Sequence, residues 1–221
     1  MHVELFRDRS EAGRKLAKHL AEYENEDALV LAIPRGGVPV GYEIAGHLHI
    51  PFDIIVPRKL PIPWNPEAGF GAVTADGTMV LNHPMVRSLG LREDEISSTA
   101  DEVRQEIIRR TQVYRGDRPM PDLKGRAVIL VDDGLASGYT MLAAIESVRK
   151  YKPSTVIVAV PVASSGAARM IAGEVDKFVA MIVSERLPFA VASFYALWRD
   201  LSDEEVQAYL ESKREESDSA A

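Results

Sequence analysis

Hydrophobic residues dominate short blocks along this chain, at 28–33, 53–56, 126–132, 155–160 and 177–182, with polar residues only at their ends. Blocks of this length without polar alternation are the pattern of strands buried on both faces of a parallel sheet. Between them the apolar positions recur with helical spacing, which predicts helices over 9–23, 37–49, 92–115, 139–150, 165–173 and 203–213. Asp8 and Glu11 make a capping box ahead of the Leu16 and Leu20 stripe, and Pro39 is tolerable in the first turn of its helix. Residues 70–74 and 78–81 flank Ala75-Asp76-Gly77 and read as a β-hairpin. Residues 57–69 are rich in Pro and lack a period, which predicts an exposed loop, and residues 215–221 read as a frayed polar tail. Strands alternating with helices argue for one α/β domain over 1–214, built on a mainly parallel sheet flanked by helices.

Composition narrows the classes. The chain has 221 residues, enough for one sizeable core, and no apolar stretch long enough to span a membrane. Its first residues do not form a signal peptide. It contains no cysteine, which excludes disulfides and thiol nucleophiles and fits a cytoplasmic protein. A net charge of −7 argues against a nucleic-acid partner, so any basic site for a phosphorylated ligand must be local.

The chemistry concentrates in residues 128–140. Four apolar residues end in two adjacent carboxylates, Asp132 and Asp133, and then in Gly134, Leu135, Ala136, Ser137, Gly138, Tyr139 and Thr140 at the start of a helix. Small residues let backbone N–H groups approach an anion, and the helix points its positive end at the same place. Carboxylates repel phosphate but accept hydrogen bonds from neighbouring sugar hydroxyls. A phosphate cradle beside a diol clamp describes a site for a ribose 5-phosphate.

The ordered set Asp132, Asp133, Ala136, Ser137, Gly138 and Thr140 resembles the binding signature of the type I phosphoribosyltransferases. The flanking runs Asn65-Pro66-Glu67, Gly71-Ala72-Val73 and Asp122-Leu123-Lys124-Gly125-Arg126 are similar to a group of prokaryotic members of unassigned substrate. The resemblance implies the family's fold, with a flexible loop and a small hood region, and a substrate, phosphoribosyl pyrophosphate (PRPP), joined by a nitrogenous base. It implies that Asp132 and Asp133 bind the ribose hydroxyls, that residues 136–140 wrap the 5-phosphate, and that Gly134 and Leu135 belong to the same PRPP-binding loop. It also implies a Mg²⁺ cofactor held mainly by ligand and water oxygens, with Asp132 and Asp133 reaching it at most through water. Ala136 stands where the 6-oxopurine enzymes carry Asp, so the loop reads more like that of the adenine enzyme.

Three further stretches are expected to meet this site, because ligands bind at the carboxyl ends of strands in open α/β sheets. Arg35-Gly36-Gly37 resembles a pyrophosphate loop, two glycines giving backbone access and Arg35 a charge. Arg58 and Lys59 are cations suited to a leaving anion. Residues 60–71 stand where the family places its catalytic lid, with Glu67 its one acid and an acid–base candidate. The charged residues of 92–115, among them Glu106 and Arg110, read as a solvated face. Phe189, Phe194 and Tyr195 are candidates for base stacking, set against core packing or a homodimer contact.

Two function classes follow. One is a phosphoribosyltransferase that transfers ribose 5-phosphate from PRPP to a base. The other is a non-catalytic PRPP- or nucleotide-binding regulator on the same fold, expected to carry a basic face that this acidic chain lacks. A phosphoesterase with Asp132 as nucleophile leaves the Ala136–Thr140 loop unexplained.

Overall fold

The computed structural model describes residues 5–62 and 64–219, the side chains of residues 66, 67 and 216–219 excepted. In chain order the elements are α1 (Arg9–Ala17), β1 (Ala28–Ala32), α2 (Gly37–Leu48), β2 (Phe52–Ile54), β3 (Arg58–Ile62), β4 (Asn65–Val73), β5 (Met79–Leu81), α3 (His83–Leu89) and α4 (Glu93–Arg115). There follow β6 (Ala127–Val131), α5 (Tyr139–Arg149), β7 (Thr155–Ser164), α6 (Ser165–Ala172), β8 (Lys177–Ser184) and α7 (Asp203–Ser219). Half of the predicted capping box forms at α1: Asp8 Oδ1 accepts from Glu11 N at 2.8 Å, while Glu11 reaches back to Arg7 N, one residue before the cap, instead of to Asp8 N.

The five predicted apolar blocks make one parallel sheet in the order β2-β1-β6-β7-β8. Successive side chains of a strand point to opposite faces, so each block feeds two cores. Leu29, Leu31, Val128, Leu130, Val156 and Val158 pack against Met141 and Ile145 of α5 and Ile171 of α6. Ala28, Val30, Ile129, Val131, Ile157 and Ala159 pack on the other side against Leu16, Ile44 and Leu48 of α1 and α2, and Leu20 just beyond α1. The chain leaves β1 towards β2 and later leaves β6 towards β7, in opposite directions. The ends of β1 and β6 therefore flank a switch point, where two strand-to-helix loops diverge and leave a crevice.

A second, antiparallel sheet in the order β3-β4-β5 lies against α4 and α7, with Leu60, Phe70, Ile107, Val206 and Leu210 in its core. Here the expectation of an exposed loop over 57–69 is corrected. Arg58–Ile62 pairs with Asn65–Val73, extending the predicted hairpin by a strand. Pro61 is accommodated because β3 is an edge strand and the register shifts on both sides of this residue. The short helix α3 was not anticipated; Asn82 caps it by accepting from Met85 N at 3.1 Å, and it stops at Gly90 with φ of 64°. Helix α7 continues to Ser219, past residue 214 where a tail was expected. Val206 and Leu210 anchor it at 0% and 1% exposure, and the Lys/Arg/Glu-rich turns beyond are good helix formers.

Residues after β8 form a small hood, whose one helical turn is Val191–Phe194. The start of the chain straps it down. Phe6 N donates to Phe194 O at 2.9 Å, Ala196 N donates to Phe6 O at 2.7 Å, and Phe6, Ala12, Val162, Phe194 and Tyr195 share a satellite core. Among the described residues no helix is long and apolar enough to cross a membrane.

Candidate functional site at the strand switch point

The loop after β6 carries the acid pair. Asp132 Oδ1 accepts from Asp133 N at 2.8 Å, a local turn that keeps the two carboxyl groups close together. Leu135 then leans on β7, its N–H donating to Val162 O at 2.9 Å while its carbonyl accepts from Ser164 N at 2.8 Å. Ser164 Oγ donates to Ala136 O at 2.7 Å. These bonds pin the loop so that Ala136 and Ser137 stay exposed just ahead of α5. Gly138 caps the helix at φ of 84°, a left-handed conformation that favours glycine. The first N–H groups of α5 lack intrahelical partners and point at this loop, as an anion site requires. Residues 134–140 thus form the turn between β6 and α5 that the sequence pattern predicts.

The loop after β1 touches the acid pair directly. A Cβ added to Gly36 would lie 2.0 Å from Asp133 Oδ2, and one on Gly37 would lie 2.7 Å from Val131 O and 2.9 Å from Asp132 Cα. Gly36 has φ of −61°, open to any residue, so close approach and not backbone freedom demands glycine there. Sequence reasoning placed these glycines correctly and assigned their need to anion access; the packing supplies a second reason. The Pro34–Arg35 peptide is cis.

Neither acid stands free. Arg9, the first residue of α1, donates from Nε to Asp133 Oδ2 at 2.8 Å, with the two side chains 10% and 13% exposed. Tyr195 donates its hydroxyl to the Asp133 carbonyl at 2.6 Å. Burial pushes Asp132 well above the usual carboxylate range, and the neighbouring Asp133 charge adds to this. Burial raises Asp133 too, against the pull of the Arg9 guanidinium. The pair offers hard oxygen donors, but Arg9 occupies one of them. Among the described residues no group of three His, Cys, Asp or Glu converges to hold an ion. This donor set fits a divalent cation held mostly by a ligand's phosphate oxygens and by water, with Asp132 reaching it through water.

Arg35 lies 3.6 Å from Asp203 at the start of α7, and Asp203 also accepts from the Tyr114 hydroxyl at 2.5 Å. Burial pushes the Tyr114 hydroxyl up to about 12, and Asp203 adds to it. Arg58 faces α4, its Nη1 3.5 Å from Glu106. Burial, the Arg110 charge and, less strongly, the Arg35 charge hold Arg58 below the ordinary arginine range. Arg58 Nη1 is buried without a hydrogen-bond partner among the described residues. Arg35, Arg58 and Arg110 thus gather positive charge around Tyr114, and an unmet donor lies among them. Sequence reasoning left Glu106 and Arg110 on a solvated face. Their ion pair at 2.8 Å is there, but the same carboxylate also meets Arg58.

Arg58 and Lys59 alternate along β3 and so project to opposite sides of the hairpin, Lys59 outward into solvent. Glu67 lies on β4, with its side chain outside the described residues. Phe194 and Tyr195 are each 5% exposed and belong to the satellite core, and Phe189 packs on Phe194 with ring centroids 5.6 Å apart. Core packing therefore accounts for them. Arg9, Tyr114 and Asp203 were missed, because nothing near them in sequence marks them as partners of the strand ends.

The family model for the phosphoribosyl transferase domain matches residues 75–196. A Mycobacterium tuberculosis relative named "Putative phosphoribosyl transferase Rv0571c" is 40% identical over 211 residues, which cover 95% of this chain and 47% of the relative. The chain thus spans about half the length of the curated relatives it matches. The crystal structure of TT1426 from Thermus thermophilus aligns with a TM-score of 0.78 at 38% identity, covering 93% of this chain and 97% of that one. AQ2163 of Aquifex aeolicus aligns with a TM-score of 0.50 at 14% identity, covering 81% of this chain and 76% of that one, a likeness of fold alone.

Proposed function

This chain belongs to the phosphoribosyltransferase domain family, and from that membership we propose that it transfers ribose 5-phosphate from PRPP to a nitrogenous base and releases pyrophosphate. The observation that carries the reading is the joint placement of Asp132, Asp133 and the open N-terminus of α5 at the sheet's switch point. Residues 136–140 hold the 5-phosphate on backbone N–H groups at the positive end of α5. Asp132 and Asp133 accept the ribose hydroxyls. The bond from the anomeric carbon to pyrophosphate breaks ahead of the bond that the nitrogen lone pair forms to it, so positive charge builds on the ribose ring in the transition state while the leaving pyrophosphate takes the bonding electrons. Arg35 and Arg58 meet the charge that gathers on the departing pyrophosphate, and the unmet Nη1 of Arg58 supports their role. Glu67 completes the proposed set as an acid–base group on the hairpin, while Lys59, on the other side of β3 from Arg58, contributes only a more distant positive charge. Mg²⁺, when bound with PRPP, neutralises part of the pyrophosphate charge, and Asp132 is placed to reach it through water.

The test is calorimetric titration with PRPP and Mg²⁺, followed by pyrophosphate release across a panel of purine and pyrimidine bases. Release with one base in the panel supports the transferase. PRPP binding without release from any base favours the regulator reading. Absence of PRPP binding overturns the ribose-phosphate site itself.

A further inference from the structure

Arg9 is one of the few buried charges of the described residues, at 8% exposure. Its setting is not what helix α1 asks for. Asp8 already caps the helix, and a cation at a helix N-terminus opposes the macrodipole. The side chain is instead fixed from three sides: Nε on Asp133 Oδ2 at 2.8 Å, Nη1 on the Arg199 carbonyl at 2.8 Å, and the Trp198 ring 3.9 Å from its Cζ. An arginine side chain has much rotamer freedom to lose, and three simultaneous contacts are what hold it in one place.

What those contacts do is visible at Asp133. Its Oδ2 is wedged between the Arg9 guanidinium and the backbone at Gly36, so close that a methyl there would overlap it at 2.0 Å. Held at Oδ2 from both sides, the carboxylate is restricted in turning about its last bond. Recognition of a vicinal diol depends on such fixity. Two hydroxyls on adjacent carbons have a set spacing and direction, and only acceptors already held in matching positions distinguish the pair from a single hydroxyl.

We propose that Arg9 is a positioning residue for sugar specificity, one that locks Asp133 in the orientation that reads a vicinal diol. It never touches the ligand, and acts from the N-terminal helix with Trp198 and the Arg199 carbonyl as its own supports. The proposal rests on reading the acid pair as the diol clamp.

The experiment compares ribose 5-phosphate with its 2-deoxy and 3-deoxy analogues, and with inorganic pyrophosphate as a ligand that needs no diol. Titration calorimetry on the wild type is expected to favour ribose 5-phosphate over both deoxy sugars by about tenfold or more. In Arg9→Met that preference collapses, through loss of ribose 5-phosphate affinity alone, while pyrophosphate binds as before. Arg9→Lys, which keeps the charge but loses the fork, recovers part of the preference. Trp198→Leu, which keeps Arg9 but removes the ring beneath it, falls between wild type and Arg9→Met. If Arg9→Met does not fold, the Lys and Trp198 variants decide alone, and an unchanged sugar preference in both overturns the proposal. So does a folded Arg9→Met that keeps the preference, or one that weakens every ligand equally, since the latter is a general structural effect. A wild type that binds ribose 5-phosphate without preferring it to either deoxy sugar overturns the diol clamp itself, with the Arg9 variants unneeded to tell.

Discussion

Replacing Asp133 by Asn keeps the shape of the side chain and leaves the Arg9 guanidinium, 10% exposed, without its ionic partner. Removing one member of a buried pair strands the other, so Asp133→Asn is expected to cost about 3–5 kcal/mol of stability. Asp132→Asn has the opposite logic: its carboxyl is already disfavoured by burial and by the Asp133 charge. That variant is expected to hold or raise the urea midpoint at neutral pH. Equal losses in the two melts would show that Arg9 contributes nothing through its charge. At the neighbouring loop, Gly36→Ala introduces a methyl 2.0 Å from Asp133 Oδ2 at a backbone conformation that alanine adopts freely. The carboxylate must give way, so ribose 5-phosphate affinity is expected to fall about tenfold or more by calorimetry, with only a small change in the melt. Unaltered affinity would mean that the Asp133 orientation does not matter to the sugar. At this scale the sequence displayed the residue types in full, Asp-Asp and Gly-Gly alike. It concealed the partner, since Arg9 and Asp133 are 124 positions apart and only the fold brings them together.

The elements that carry these residues were legible to different degrees, for physical reasons. The central strands β1, β6 and β7 were found because burial on both faces leaves unbroken apolar runs, and the edge strands β2 and β8, only partly buried, still carry mostly apolar residues. Strand β3 was hidden by Pro61, a residue that argues against a strand except at an edge or a bulge, and β3 is both. Recognising the strand changes the reading of Arg58 and Lys59. As neighbours in a loop they could share a target, but on β3 they face opposite ways. Arg58 turns towards Arg110, Glu106 and Tyr114 with a buried donor unmet, while Lys59 turns outward. Calorimetric titration with pyrophosphate and Mg²⁺ is therefore expected to separate them: Arg58→Ala loses about tenfold or more in affinity, and Lys59→Ala less than about threefold. Comparable losses would mean that the hairpin rearranges around the anion so that both faces reach it.

Over the whole molecule, the site is assembled from segments that lie far apart along the chain. Residues 6–9 run alongside the hood, with Phe6 bonded to both Phe194 and Ala196 and Leu197 N donating to Arg7 O at 2.8 Å. Arg9 continues that strap into the acid pair, and Tyr195 reaches the same loop from the hood side. None of this could be read from periodicity, because the contacts are non-local and the hood has almost no regular structure of its own to announce. The arrangement has a consequence for local stability. A segment held by few backbone bonds and bordering exposed Leu197 opens more readily than the parallel sheet. A ligand that engages Asp133 stabilises the closed form of every group tied to it, by the ratio of its concentration to its dissociation constant. Ribose 5-phosphate is therefore expected to slow amide exchange not only at residues 134–140 but also at Phe6, Ala196 and Leu197, and by a similar factor at those three. In Arg9→Met the loop residues should still be protected while the strap and hood lose the effect, because the link from Asp133 to α1 is gone. Protection confined to residues 134–140 in the wild type would show that the hood merely sits beside the site and takes no part in closing over it.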